Sequence, residues 1–158
     1  SAASDVYKRQ LEDLVLARPV WSCNRQEAMT LAERLGAPID DSKVTIGGGL
    51  DDFMHQLCDG LGATLRAPLV VRVGARGAWI REPGGETIHI EGYPTKAVHT
   101  RSAGGCHTGV MCAMLAKGHS LAESVKIANA AASIAIQHSL NGVPQCPDYD
   151  EAIALIGE

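Results

Sequence analysis

Hydrophobic and polar positions along this chain switch repeatedly between a helical period and short apolar runs. In "NRQEAMTLAERLG", Ala28, Leu31, Ala32 and Leu35 fall at i, i+3, i+4 and i+7, which predicts a helix with one inward face and a stop at Gly36. "LDDFMHQLCDGLGA" repeats the pattern with Leu50, Phe53, Met54 and Leu57 inward, after a loop in "PIDDSKVTIGGG". Leu11 to Ala17 reads as the end of an earlier helix, and "RPVWSC" as a short buried strand opened by proline. The β-branched run "APLVVRVG" suits a strand covered on both faces. "GAWIREPGGETIHIEG" predicts two strands joined through Pro-Gly-Gly, and "TKAVHT" one more short strand. Helices are then expected over Gly105 to Lys117, Leu121 to Leu140 and Asp148 to Ile156. Strands and helices alternating in this way point to an α/β layer architecture, with neither an internal repeat nor a low-complexity linker.

Composition narrows what such a fold is for. With 158 residues and 46% apolar side chains the chain can bury one core. Only 4% of residues are aromatic and the formal charge is −4, so neither a base-stacking surface nor a basic stripe for nucleic acid is present. No window approaches the roughly 18 continuous apolar residues of a membrane helix. Neither nucleic acid nor a membrane is expected as partner. The five cysteines, Cys23, Cys58, Cys106, Cys112 and Cys146, are scattered and contain no Cys-x-x-Cys pair. They signal neither a disulfide framework nor a zinc site, and fit a reducing cytoplasm. Each is expected to be a small buried hydrophobe, except that Cys106 stands at a helix start, where a thiolate would be favoured.

The first ten residues, "SAASDVYKRQ", show no hydrophobic period. Asp5 to Gln10 can be written GAT GTG TAT AAG AGA CAG, which resembles the end of a common sequencing-library transposon adapter, and Ser1 to Ser4 fit its upstream bases. Residues 1–10 are therefore expected to be an adapter-derived scar, with a natural polar N-terminus as the alternative, and are set aside from fold reasoning. On this reading the segment preceding Leu11 in the parent gene is missing.

Three stretches carry candidate chemistry. Asn24 and Glu27 have the Asn-x-x-Glu spacing of a helix N-cap, and the same carboxylate and amide at a helix start beyond a strand could organise magnesium-bound water. "VVRVGARGAWI" ends a strand in Gly-x-x-Gly, which either brings backbone close to a ligand or makes a tight hairpin with Gly74 and Gly77 at positive φ. In "KAVHTRSAGGCHTGV", Ala103, Gly104 and Gly105 open a helix whose outward N–H groups can form an anion hole, or a glycine-rich turn capped by Ser102. It is not a P-loop, because Val110 and Met111 follow Gly109 where Lys and Ser or Thr are needed. No carboxylate lies between Glu91 and Glu123.

Taken in order, these pieces resemble the C-terminal half of the ribokinase-like, PfkB-type carbohydrate kinases, over Leu11 to about Glu158. Asn24 and Glu27 match that family's Asn-x-x-Glu. Gly74 and Gly77 match its Thr-x-Gly-x-x-Gly, with Arg72 in the threonine position, and "ANAAASIAI" (Ala128 to Ile136) looks like its alanine-rich helix. The resemblance implies a three-layer α/β/α fold, C-terminal half only, with a mostly parallel sheet and a β-hairpin. It also implies ATP as phosphoryl donor, Mg2+ held by Asn24 and Glu27 through water, and nucleotide contacts from Arg72, Gly74, Gly77 and Asn129. Asn129 would lie at the adenine pocket, and a sugar or nucleoside would be the acceptor in the intact parent. Homodimer formation is left open.

The family's Asp-Thr-x-Gly-Ala-Gly-Asp is where the match fails, because His99, Thr100, Arg101, Ser102, Ala103, Gly104 and Gly105 stand in its place. The second aspartate, the family's base, has become Gly105. General-base catalysis contributes roughly 10²- to 10⁴-fold, so its loss is expected to nearly silence transfer even if ATP binds. His107 is a conceivable substitute, but on a helix it points about 200° away from position 105. Asp to His, Gly to Ser and Asp to Gly each need one base change, which fits a decaying or misread gene. The expected function is the C-terminal part of an ATP-dependent sugar or nucleoside kinase, inactive as this fragment. The alternatives are a noncatalytic nucleotide-binding module and a structural remnant.

Overall fold

A helix of sixteen residues, α1 (Ala2–Ala17), opens the chain; it holds neither glycine nor proline, and it ends where Arg18 takes a left-handed φ of 51° before Pro19. The computed structural model describes residues 2–39, 49–95, 103–140 and 143–157. They divide into two units: Ser1–Val71 with Trp79–Ile88, and Arg72–Ala78 with His89–Glu158.

The first unit holds α1, β1 (Trp21–Asn24), α2 (Arg25–Leu35), α3 (Gly49–Leu65) and most of β2 (Leu69–Arg72) and β3 (Ala78–Arg81). Ala28 and Ala32 are the buried residues of α2, and Leu31 and Leu35 on the same face are half-buried. Helix α3 buries Met54, Leu57, Cys58, Leu61 and Leu65, and Leu69, Val70 and Val71 of β2 are fully buried. The largest buried side chain, Trp79, keeps its indole satisfied by donating from Nε1 to Asp51 Oδ1 at 2.8 Å. Asp59 accepts from the Thr87 hydroxyl at 2.5 Å and lies 3.6 Å from the Arg81 guanidinium.

The second unit holds the turn after β2, the end of β4 (Ile88–Ile90), and then α4 (Ala103–Ala116), α5 (Leu121–Ala135), β5 (Ser139–Leu140), β6 (Val143–Pro144) and α6 (Tyr149–Gly157). Helix α5 packs against both α4 and α6. Its alanines let the helices approach closely: Met114, Ile127, Ala130, Ala131 and Ala152 form one buried cluster, bordered by Tyr93, Val110, Leu155 and Ile156. Ser120 caps α5 by accepting from the Glu123 N–H, and Asp148 and Glu151 exchange two such bonds at the start of α6.

The main sheet is mixed, with strand order β1-β2-β3-β4. β5 and β6 form a separate antiparallel pair, Ser139 opposite Pro144 and Leu140 opposite Val143. Several expectations change here. Helix α1 runs through the segment set aside as a scar, because residues 2–17 contain no helix breaker even though residues 2–10 lack a hydrophobic period. Helix α5 ends at Ala135 rather than Leu140, because residues 139–140 pair as a strand and Gln145 N–H bonds to His138 O at 2.9 Å. The cysteine reading is corrected as well: Cys106 and Cys146 are disulfide-bonded and Cys112 is exposed, while Cys23 and Cys58 are buried as expected. Most of the expected loop at residues 38–49 and strand at residues 95–100 lies outside the described residues.

Candidate functional site: a helix mouth and its supports

Asn24 and Glu27 form a complete capping box. Asn24 sits at φ −81°, ψ 173°, its Oδ1 accepts from the Glu27 N–H at 2.8 Å, and Glu27 Oε1 accepts from the Asn24 N–H at 2.9 Å. The cap explains why this spacing starts a helix directly after β1. It also engages the amide oxygen and one carboxylate oxygen with backbone. Among the described residues no group of three or more His, Cys, Asp or Glu is placed to hold a metal ion. Glu27 also lines a cleft of about 750 Å3 between α1 and α2, with Leu11, Leu14, Gln26, Leu31 and Arg34, which holds none of the expected nucleotide contacts.

In the second unit, β2 ends at Arg72 and the chain turns through a single 3₁₀ turn, Gly74–Arg76. The turn is closed by Arg76 N–H to Val73 O, Gly77 N–H to Gly74 O and Val73 N–H to Gly77 O, at 3.0, 3.1 and 2.8 Å. The two glycines of the motif do different things. Gly77 has φ 87°, and a Cβ there would run into the backbone of Ile90, Glu91 and Gly92, so the residue must be glycine for packing. Gly74 has φ 51°, is exposed, and faces open space.

Helix α4 begins at Ala103, with Gly104 and Gly105 in its first turn and no acidic residue there. A Cβ on Gly104 would overlap Nη1 of Arg72, so the guanidinium lies against the helix mouth because position 104 has no side chain. At Gly105 a Cβ would meet nothing within 4 Å. Outward N–H groups, the positive end of a helix and a neighbouring guanidinium together make a place for a phosphate. The structure thus brings Arg72 and the Ala103–Gly105 turn together. His99 to Ser102 lie outside the described residues.

Behind this mouth is an arrangement that sequence reasoning missed. His107 is 4% exposed, and its Nε2 lies 2.8 Å from Asn129 Oδ1. Asn129 Nδ2 donates to Ile90 O and to Glu91 O, each at 3.1 Å. With both amide hydrogens engaged by carbonyls, Oδ1 must accept, so His107 carries its proton on Nε2 and presents a bare, buried Nδ1. Burial, assisted by the Arg72 charge and opposed by the Asn129 bond, lowers the His107 pKa from 6.5 to about 4. His107 is therefore a neutral core histidine and not a substitute base. Asn129 is 6% exposed, with its amide facing protein. The pair is 22 residues apart in sequence, and no local spacing announces it.

Comparisons with known proteins bear on these features. The family model described as "pfkB family carbohydrate kinase" matches residues 3–146. The chain is similar to an uncharacterised sugar kinase, YegV, of Escherichia coli K12, being 33% identical over 134 residues that make up 85% of this chain and 37% of that protein. It is 32% identical over 91 residues to the 5-dehydro-2-deoxygluconokinase of Listeria monocytogenes, covering 57% of this chain and 27% of that enzyme. Among solved structures, the nucleoside kinase of Methanocaldococcus jannaschii superposes with a TM-score of 0.70 at 18% identity, over 95% of this chain and 43% of that one. The Arabidopsis thaliana ribokinase complexed with ribose and ATP gives a TM-score of 0.65 at 23% identity, over 87% of this chain and 40% of that one. The fold is ribokinase-like. The chain spans less than half the length of these relatives.

Proposed function

The chain belongs to the pfkB family of carbohydrate kinases, and from that premise we propose that it is the nucleotide-binding C-terminal part of a kinase that transfers phosphoryl from ATP to a sugar or nucleoside hydroxyl. The observation that carries this reading is the α4 mouth, where Gly104 admits the Arg72 guanidinium and Gly105 leaves the first turn open. Bound ATP, with its Mg2+, would supply the phosphoryl group. This chain's residues would receive the phosphates: N–H groups of the α4 first turn as donors, Arg72 as counter-charge, and Gly74 as a backbone position close to the ligand. Asn129 acts from behind, holding His107 and the carbonyls of residues 90–91 in place. A role of Asn24 and Glu27 toward Mg2+, through water, is a further part of the proposal.

Position 105 offers no carboxylate to take the hydroxyl proton, so this chain binds nucleotide without transferring phosphoryl. A noncatalytic nucleotide-binding module is the second reading, favoured by the same observation that the cationic mouth persists where the base does not. The test uses the whole chain with ATP, Mg2+ and a panel of sugars and nucleosides. Magnesium-dependent ATP binding is expected in equilibrium dialysis, without ADP formation above the blank. Arg72→Ala should weaken that binding about tenfold, the size of a charge-assisted phosphate contact. Clear ADP formation would overturn the inactivity, and no binding at millimolar ATP would sink both nucleotide readings. Residues 1–10 as an adapter scar, the cytoplasm as location and a homodimer stay as parts of the proposal, to be settled by resequencing the gene start, by fractionation and by sedimentation.

A further inference from the structure

Of the five cysteines, three are not disulfide-bonded. Cys23 and Cys58 are buried, and burial pushes the Cys58 thiol up to about 12, so neither is available to oxidants. Cys112 is exposed on α4. The remaining two are joined: Cys106 stands one residue after Gly105, in the first turns of α4, and Cys146 stands just before α6, with 40 residues between them and 5.6 Å between their Cα atoms. That Cα separation lies inside the range in which two cysteines can be bridged without moving backbone.

The two sulfurs are differently placed. Cys146 is exposed, whereas Cys106 is half-buried against the cluster of Met114, Ile127, Ala130, Ala131 and Ala152. Cys106 also lies in the positive field at the start of α4, two residues beyond Gly104, which the Arg72 guanidinium touches. An incoming thiolate therefore meets the pair from the more exposed Cys146 side, and the sulfur it displaces is the one at the start of α4.

We propose that Cys106 and Cys146 form a reversible thiol–disulfide site that clamps the mouth of α4 to the segment leading into α6, opened and closed by small-molecule thiols and disulfides of the glutathione class. In opening, a glutathione thiolate attacks Cys146 Sγ, the S–S bond breaks, and the electron pair leaves on Cys106 as thiolate. A second glutathione thiolate attacks the glutathione sulfur of the mixed disulfide and releases Cys146 thiolate. The pair gains two electrons, two glutathiones become one glutathione disulfide, and each cysteine thiolate takes a proton from water according to pH. Closing is the reverse, with glutathione disulfide as oxidant.

The clamp bears on the turn that carries Gly105, yet its existence does not depend on nucleotide binding, so it can be tested separately. The intact chain is equilibrated in glutathione buffers of graded redox ratio, quenched by alkylation, digested and mapped by mass spectrometry. The peptide linking Cys106 to Cys146 should rise and fall reversibly with the ratio. Amide exchange in the first turns of α4 should quicken about tenfold on reduction, a change within the span that local opening covers. Cys146→Ser should show the reduced exchange rate at every ratio, and Cys112→Ser should titrate like the parent. A linkage involving Cys112, no linkage in excess glutathione disulfide, or identical exchange in the two states would each overturn the proposal.

Discussion

At the start of α2 the first N–H groups are met by side chains of the same segment, Asn24 and Glu27, within four residues of sequence. At the start of α4 the described first-turn residues, Ala103, Gly104 and Gly105, bring no polar side chain, and the turn is supported from elsewhere. Arg72 arrives from the end of β2, Asn129 reaches His107 from α5, and Cys146 is bonded to Cys106 from the chain before α6. The contrast separates two uses of a helix start. A mouth closed by its own side chains is robust and local, and has few donors left for a ligand. A mouth of glycines can receive an anion, and its shape then depends on residues far away in sequence.

That difference predicts unequal costs. The largest should come from Asn129→Ala, which strands the His107 Nε2–H and removes the donors to Ile90 O and Glu91 O. A loss of about 3–4 kcal/mol of unfolding free energy is expected in urea titrations. A loss below about 1 kcal/mol would show that the α4 mouth is as locally held as that of α2. Next is acid. The unfolded chain takes up a proton at His107 near pH 6.5, whereas the folded chain accepts it only near pH 4, so stability should fall as pH is lowered through that window. The drop amounts to at most about 3 kcal/mol. Denaturant titrations at several pH values would trace it, and His107→Phe should flatten the slope between those two pH values.

The cap of α2 should matter less. Asn24→Ala is expected to cost about 1 kcal/mol, measured by the same titrations, with no effect on the redox behaviour of Cys106. The smallest effect is a gain. Arg66 follows α3 with a left-handed φ of 53°, and Arg66→Gly should stabilise by about 0.5–1 kcal/mol, read as a raised thermal midpoint.

What the amino-acid order disclosed follows the same division. Helix α2 and its cap, the inward face of α3, the buried run of β2 and the turn between β3 and β4 were all readable, because each is set by neighbours within one or two turns of chain. The Gly-x-x-Gly and the glycines at the start of α4 were readable as pieces, and the structure adds that Arg72 and Gly104 meet. The Cys106–Cys146 bond and the His107–Asn129 pair were not readable, since separations of 40 and 22 residues leave no periodic trace. The β5–β6 pair was missed for another reason. Asn-Gly at positions 141–142 is a hairpin dipeptide in the sequence, and the helix expected over Leu121 to Leu140 stops directly before it. Helix α1 went unread over residues 2–10 because those residues carry no hydrophobic period.

The close approach of Gly77 to the backbone of residues 90–92 carries one more consequence. Surface turns ordinarily tolerate gain or loss of a residue, and the Glu82–Glu86 turn, where a Cβ on Gly84 meets nothing, is free to do so. The Gly74–Gly77 turn is not: main chain lies on main chain there, with no side chain between to absorb a shift. A single inserted residue would move Gly77 out of that contact and put a Cβ into it. Among relatives of this chain, the length of this turn should therefore be more constant than the identity of its exposed residues.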